Sequence, residues 1–156
     1  MAKQAKKRSP WIKGTLIGIL ILLFISAGVY WYLANEKFSD TGKKKSAYTI
    51  NALELIKEFQ KNDNAANKKY ADKIITVNGT VSEIETADTT VNIKFIDTAT
   101  GSYIIFAFQE QHLAEAKSVK VGDNISVKGS CSGGIYSEIL GIEAITFKRC
   151  AVNKNK

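Results

Sequence analysis

The sequence predicts a mainly β domain with helices, placed behind an apolar N-terminal segment. Three observations carry this. From Lys73 onward the apolar residues recur every second position, as in Ile75, Val77, Gly79 and Val81 and again in Val91, Ile93 and Phe95, which is the spacing of half-buried strands. From Asn51 they recur at helical spacing instead, as Ala52, Leu55, Ile56 and Phe59. The stretch Gly14 to Ala34, GTLIGILILLFISAGVYWYLA, holds no charged residue.

Residues 1–13 carry five positive charges and no negative one. At helical rise, residues 14–34 span about 31 Å, which matches one crossing of a hydrocarbon core roughly 30 Å thick, so a transmembrane helix is expected there. Trp11 at one end and Tyr30, Trp31 and Tyr32 at the other are the expected membrane-interface anchors. The basic flank places the N-terminus in the cytoplasm and the rest of the chain outside it, by five charges against the four of Lys37 and Lys43 to Lys45. Tyr32 stands where cleavage after Ala34 would need a small residue, so the segment is expected to stay as a signal anchor. Residues 35–47 read as a solvated linker, whose basic triplet is an ordinary charge run unless it meets anionic headgroups.

Charge divides the chain at the same place. Up to Lys45 nine basic residues face two acidic ones; from Ser46 to Lys156 thirteen face thirteen. The net charge of +7 therefore flanks the apolar segment and leaves the domain neutral, without the basic field that gives nucleic-acid binding most of its non-specific affinity.

Within the domain, Asn51 is placed to cap a helix, with Glu54 three residues on. Asn62 to Asn64 make a turn, and a further helical turn is expected over 65–70. The first strand alternates from Ile75 to Val81, then slips phase so that Ile84 turns inward, which signals a bulge or strong bend near Gly79. A second strand covers Val91 to Phe95, Asp97 to Gly101 turn the chain, and SYIIFAFQ is a third strand apolar on both faces. Helix formers return over Glu110 to Lys117. A fourth strand follows the Gly122–Asp123 turn, Ser132 to Gly134 break the chain, and a fifth strand is expected over Ile139 to Cys150 with a kink at Gly141. Three strands, a helix and two strands is the order of the five-stranded OB-fold Greek-key barrel. The domain is thus expected over 48–152, with a tail at 153–156.

The runs NDNAANKKYADKIITVNGTV, VGDNISVKGSCSGG and ITFKRC together resemble the bacterial tRNA_anti-like OB-fold family, over about Ala47 to Val152. The resemblance implies the OB-fold and, through the family's name, single-stranded nucleic acid as a ligand. A second cysteine in that family's last strand favours a Cys131–Cys150 disulfide, whereas a simple hairpin turning at Ser132 to Gly134 would hold the two apart. Two buried thiols that never meet are the other reading, and both stay open here.

OB-folds bind ligands on the outer face of strands two and three. Phe95, Phe106 and Phe108 share phase with core residues, which leaves Tyr103 and the nearby Lys94 as ligand-face candidates. His112 is the single histidine and reads as an ordinary helix residue; Glu83 and Glu85 read as a solvated strand end. Neither builds a catalytic or metal centre, so no enzyme activity and no cofactor are expected. The function expected is a membrane-anchored, extracytoplasmic binding or scaffolding module. Its partners would be the lipid bilayer and a protein or small ligand, with nucleic-acid binding as the alternative.

Overall fold

The computed structural model describes residues 10–34 and 39–153, with side chains in the first stretch described for 17–32. It forms two units, Met1–Ser39 and Asp40–Lys156. The first contains one helix, α1 (Pro10–Ala34), whose described side chains are exposed and, Ser26 apart, carry large apolar surface, among them Leu22, Phe24 and Trp31. Among the described residues no helix is long and apolar enough to cross a membrane. The span expected over 14–34 is therefore not shown.

The second unit opens with a 3-10 turn, Thr41–Lys43, that lies on the domain with Thr41 buried. Part of the expected linker is therefore fixed to the fold. Helix α2 (Ala52–Lys61) starts where its cap predicts: the Asn51 side chain accepts the Leu53 N–H at 2.9 Å. All four residues of its apolar stripe are buried. Asn62 ends α2 and, accepting the Ala65 N–H at 2.9 Å, also caps α3 (Asp63–Tyr70).

Seven strands form one sheet, in the order β1-β2-β6-β7-β5-β4-β3, instead of the five expected. The difference has two causes. The bent first strand is two ladders, β2 (Ile74–Thr80) pairing with β6 and β3 (Glu83–Thr86) pairing with β4. Between them Val81 donates to Asp123 and Ser82 to Lys94, so the chain passes from one side of the sheet to the other, as an OB barrel's first strand must. In addition β1 (Tyr48–Asn51), just ahead of α2, pairs parallel with β2. The remaining strands, β4 (Val91–Ile96), β5 (Tyr103–Phe108), β6 (Asn124–Ser137) and β7 (Ile142–Val152), take OB order, with β5 and β7 parallel.

Two boundaries move. Ser132 to Gly134 do not break the chain; β6 runs through them with register shifts, and Gly133 takes a φ of 107°, open to glycine. The hairpin turns seven residues later, closed by Gly141 N–H to the Ser137 carbonyl at 2.8 Å, so Gly141 is a turn residue and β7 begins at Ile142. The expected helix over 110–117 is a 3-10 turn, Glu110–His112, leading into α4 (Leu113–Lys117).

The core gathers the inner faces of the strands with α2 and α4. Phe59 of α2 lies beside Gly134 and Glu143 at the start of β7, whereas Gln109, just before α4, donates to Cys150 near its end. The helices thus pack toward opposite ends of β7. The bulged β6 is held to α3 by Asn67, whose Oδ1 accepts the Gly134 N–H at 2.9 Å and whose Nδ2 donates to the Gly134 carbonyl at 3.0 Å. Asn67→Ala leaves both backbone groups unpaired and is expected to cost about 1–3 kcal/mol, measured by chemical denaturation.

Candidate ligand-binding face

Alternation sorts β4 and β5 into two faces. Val91, Ile93, Phe95, Ile104 and Phe106 point into the core, as expected. Asn92, Lys94 and Ile96 point outward, with Tyr103, Ile105 and Ala107 beside them by register. The parallel pairing of Tyr103 with Ala144, and that of Ala144 with Ile135, extends one row across four strands: Ile96, Tyr103, Ala144, Ile135. The row leads to the β6–β7 turn, where Ile139 is 96% exposed and Leu140 69%, with Ile135 itself at 76%.

Lys94 and Tyr103 do come together, the ammonium 5.8 Å from the ring centroid. Lys94 is nevertheless already occupied. Its Nζ donates to Glu83 at 3.3 Å and to Glu85 as well, and its side chain is only 18% exposed. The hydrogen bond from Lys94 lowers the Glu85 pKa, and Glu85 in turn raises that of Lys94 against a smaller opposing effect of burial. The two glutamates, read in the sequence as a solvated strand end, over-neutralise the one central cation of the face. A phosphate arriving here meets a net negative cluster, whereas an apolar group meets Tyr103, Ile105 and the exposed turn.

The other sequence candidates lie elsewhere. His112 bridges two carboxylates, Nε2 to Asp40 at 2.8 Å and Nδ1 to Glu115 at 3.4 Å, and its hydrogen bond lowers the Asp40 pKa. This fastens the N-terminal turn to the domain. Cys131 and Cys150 are free, buried thiols on the two strands of one hairpin; burial pushes Cys131 up to about 11 and also raises Cys150, so neither ionises readily. Tyr30, Trp31 and Tyr32 are exposed on α1, and the Trp11 side chain lies outside those described. A separate cleft of about 310 Å³ beside the start of α2 is lined by uncharged groups, among them Asn51, Thr80, Ser82, Phe95 and Asn124. Among the described residues no group of three or more His, Cys, Asp or Glu side chains could hold a metal ion.

Sequence reasoning missed Ile135, Ile139 and Leu140 as surface residues. The signal is present in IYSEILG, an apolar pair set against a glycine, but a chain break at Ser132 to Gly134 leaves 135–138 unassigned and makes Ile139 and Leu140 the start of the fifth strand.

A family model described as tRNA_anti-like matches residues 6–140. No curated protein matches the chain. Of solved structures, a Klebsiella pneumoniae lipoprotein whose name ascribes nucleic-acid binding to it is 17% identical. The match covers 67% of this chain and 91% of that one, with a TM-score of 0.52. A Leishmania major protein named as an aspartyl-tRNA synthetase is 12% identical over 83% of this chain and 26% of its own, at 0.44. An OBody bound to hen egg-white lysozyme is 14% identical over 56% and 88%, at 0.41. At such identities the lipoprotein speaks for the fold alone, and the other two scores carry no weight.

Proposed function

The chain belongs to the tRNA_anti-like family, and on that premise we propose that it is a membrane-tethered OB-fold module that binds a polypeptide partner and catalyses no reaction. The tether is α1 together with the uncharged sequence over 14–34, and the basic 1–13 flank favours a cytoplasmic N-terminus with the domain outside. Fusion of a reporter active only outside the cytoplasm to the C-terminus is expected to give signal, and silence would overturn the topology.

One observation carries the ligand class. The surface an OB-fold uses for ligands, strands two and three with the loop between strands four and five, is here β4, β5 and the β6–β7 turn. It carries half-buried Tyr103 and Ile105 beside a lysine held by two glutamates, and exposed Ile135, Ile139 and Leu140 toward the turn. That composition suits apolar side chains of a partner protein better than a phosphate backbone. The turn also lies some nine residues along β6 from Lys128, whose Nζ donates to the carbonyls of Gly42 and Lys44, near the start of the domain in sequence. At strand rise this is about 30 Å, which sets the binding end away from the attachment point.

Single-stranded nucleic acid is the second reading, suggested by the family and by the lipoprotein's name. Full-length protein in nanodiscs is expected to show no salt-dependent binding of a labelled oligo-dT in the micromolar range. Micromolar binding that weakens with salt and is lost in Tyr103→Ala would favour the nucleic-acid reading instead.

A further inference from the structure

The edge of the domain around β1 is rich in lysine. Tyr48, the first residue of β1, is 37% exposed and lies between two ammonium groups, Lys73 Nζ at 5.4 Å and Lys69 Nζ at 5.9 Å from its ring centroid. Lys69 is partly spoken for, since it pairs with Glu58 at 2.9 Å. Lys73 reaches back to the Lys69 carbonyl, which fixes its position without neutralising it. Immediately before Tyr48, Lys44 and Lys45 are exposed, and Ala47 donates to the Ile74 carbonyl, which brings this segment alongside Lys73. Among the described residues no carboxylate lies within 4.0 Å of Lys44, Lys45 or Lys73. The patch contrasts with the candidate ligand face, where the half-buried Lys94 is held between two glutamates.

Its place in the chain selects its partner. Asp40, where the domain begins, is six residues from Ala34 at the end of α1, and six residues extend no further than about 20 Å. In sequence, Lys44 and Lys45 follow Ala34 by ten and eleven positions, so a membrane that holds α1 would stay within a short chain length of them. Several lysines beside an apolar anchor, with a tyrosine among them, is the composition that meets anionic headgroups, the ammoniums on phosphates and the ring at headgroup level. We propose that the edge formed by Lys44, Lys45, Tyr48, Lys69 and Lys73 docks on an anionic lipid surface and so fixes the orientation of the domain on its membrane. This rests on the membrane-tethered reading above. A charged groove elsewhere on the domain is not required, because the tether itself supplies the local concentration.

The test uses the full chain in nanodiscs of phosphatidylcholine alone or with about one third phosphatidylglycerol, with lysine acetylation rates read by mass spectrometry. Slowing of at least fivefold at Lys44, Lys45 and Lys73 in the anionic discs is expected. Reversal by 0.5 M salt and unchanged rates at Lys117 and Lys120 should accompany it. The variant Lys44→Glu/Lys45→Glu/Lys73→Glu, with its fold checked by circular dichroism, should show no difference at Lys69 between the two discs. Protein that fails to co-elute with either disc overturns the tethered reading and this inference with it. Co-elution with rates independent of lipid charge, or with all lysines slowed alike, overturns the inference alone. Equal protection by oligo-dT in phosphatidylcholine discs would reassign the patch to nucleic acid.

Discussion

Phe59→Ala is expected to destabilise the domain by about 3–5 kcal/mol, the cost of removing a large aromatic from a closed core. Phe59 is 1% exposed, stacks on Tyr70 at 6.1 Å between ring centroids and lies over Gly134 of β6. It is the last member of the α2 stripe and packs against β6 where that strand faces the start of β7. The converse substitution checks the same contact. A Cβ on Gly134 would stand 2.5 Å from Phe59 Cδ1 and 2.6 Å from Glu143 Oε1, too close without a shift. Gly134→Ala is therefore also strongly destabilising, but less so once Phe59 is alanine, because half of the collision has gone. A double-mutant cycle by urea denaturation measures this coupling; additive losses would mean that ring and strand do not share the site.

Glu143→Gln is expected to stabilise the domain at pH 7 by up to about 1–3 kcal/mol. Glu143 is 1% exposed, and neither of its carboxylate oxygens has a hydrogen-bond partner. Burial, and secondarily the Asp63 carboxylate, raise its pKa above the ordinary 4.5. An acid whose folded pKa lies above its unfolded value makes its full contribution below the unfolded value. Between the two values the unfolded chain binds fewer protons than the folded one, so stability falls as pH rises through that window. Glutamine keeps the shape and removes the titration. The wild type should therefore lose stability relative to the variant on going from pH 4 to pH 7, with the two converging near pH 4. Parallel pH–stability curves would show that Glu143 is ionised in the folded state at no cost.

Much of this fold was legible because its elements are locally determined. The Asn51 cap and the Ala52, Leu55, Ile56, Phe59 stripe gave α2 its start and its buried face, and the phase slip at Ile84 marked the bend that joins β2 to β3. What was not legible depends on contacts distant in sequence. Ser132 to Gly134 resemble a turn, yet Asn67 of α3 supplies the ladder partner that keeps β6 extended through them. β1 is only four residues long and exists because β2 offers an edge, so no period announces it. The candidate ligand face shows the same division. Tyr103 and Lys94 followed from strand phase, but that Lys94 would be held by Glu83 and Glu85 follows from the pairing of β3 with β4, which places Glu83 opposite Lys94.

The two outermost strands of the sheet, β1 and β3, are each four residues long, and β3 carries Glu83 and Glu85 while lysines surround the start of β1. Strand edges this short and this charged offer a neighbouring copy little backbone to zip onto. On the tethered reading proposed above, copies concentrated in two dimensions would meet far more often than in free solution. Short, charged edges would then resist edge-to-edge aggregation and leave the apolar turn at the far end of β6 and β7 as the surface open to association.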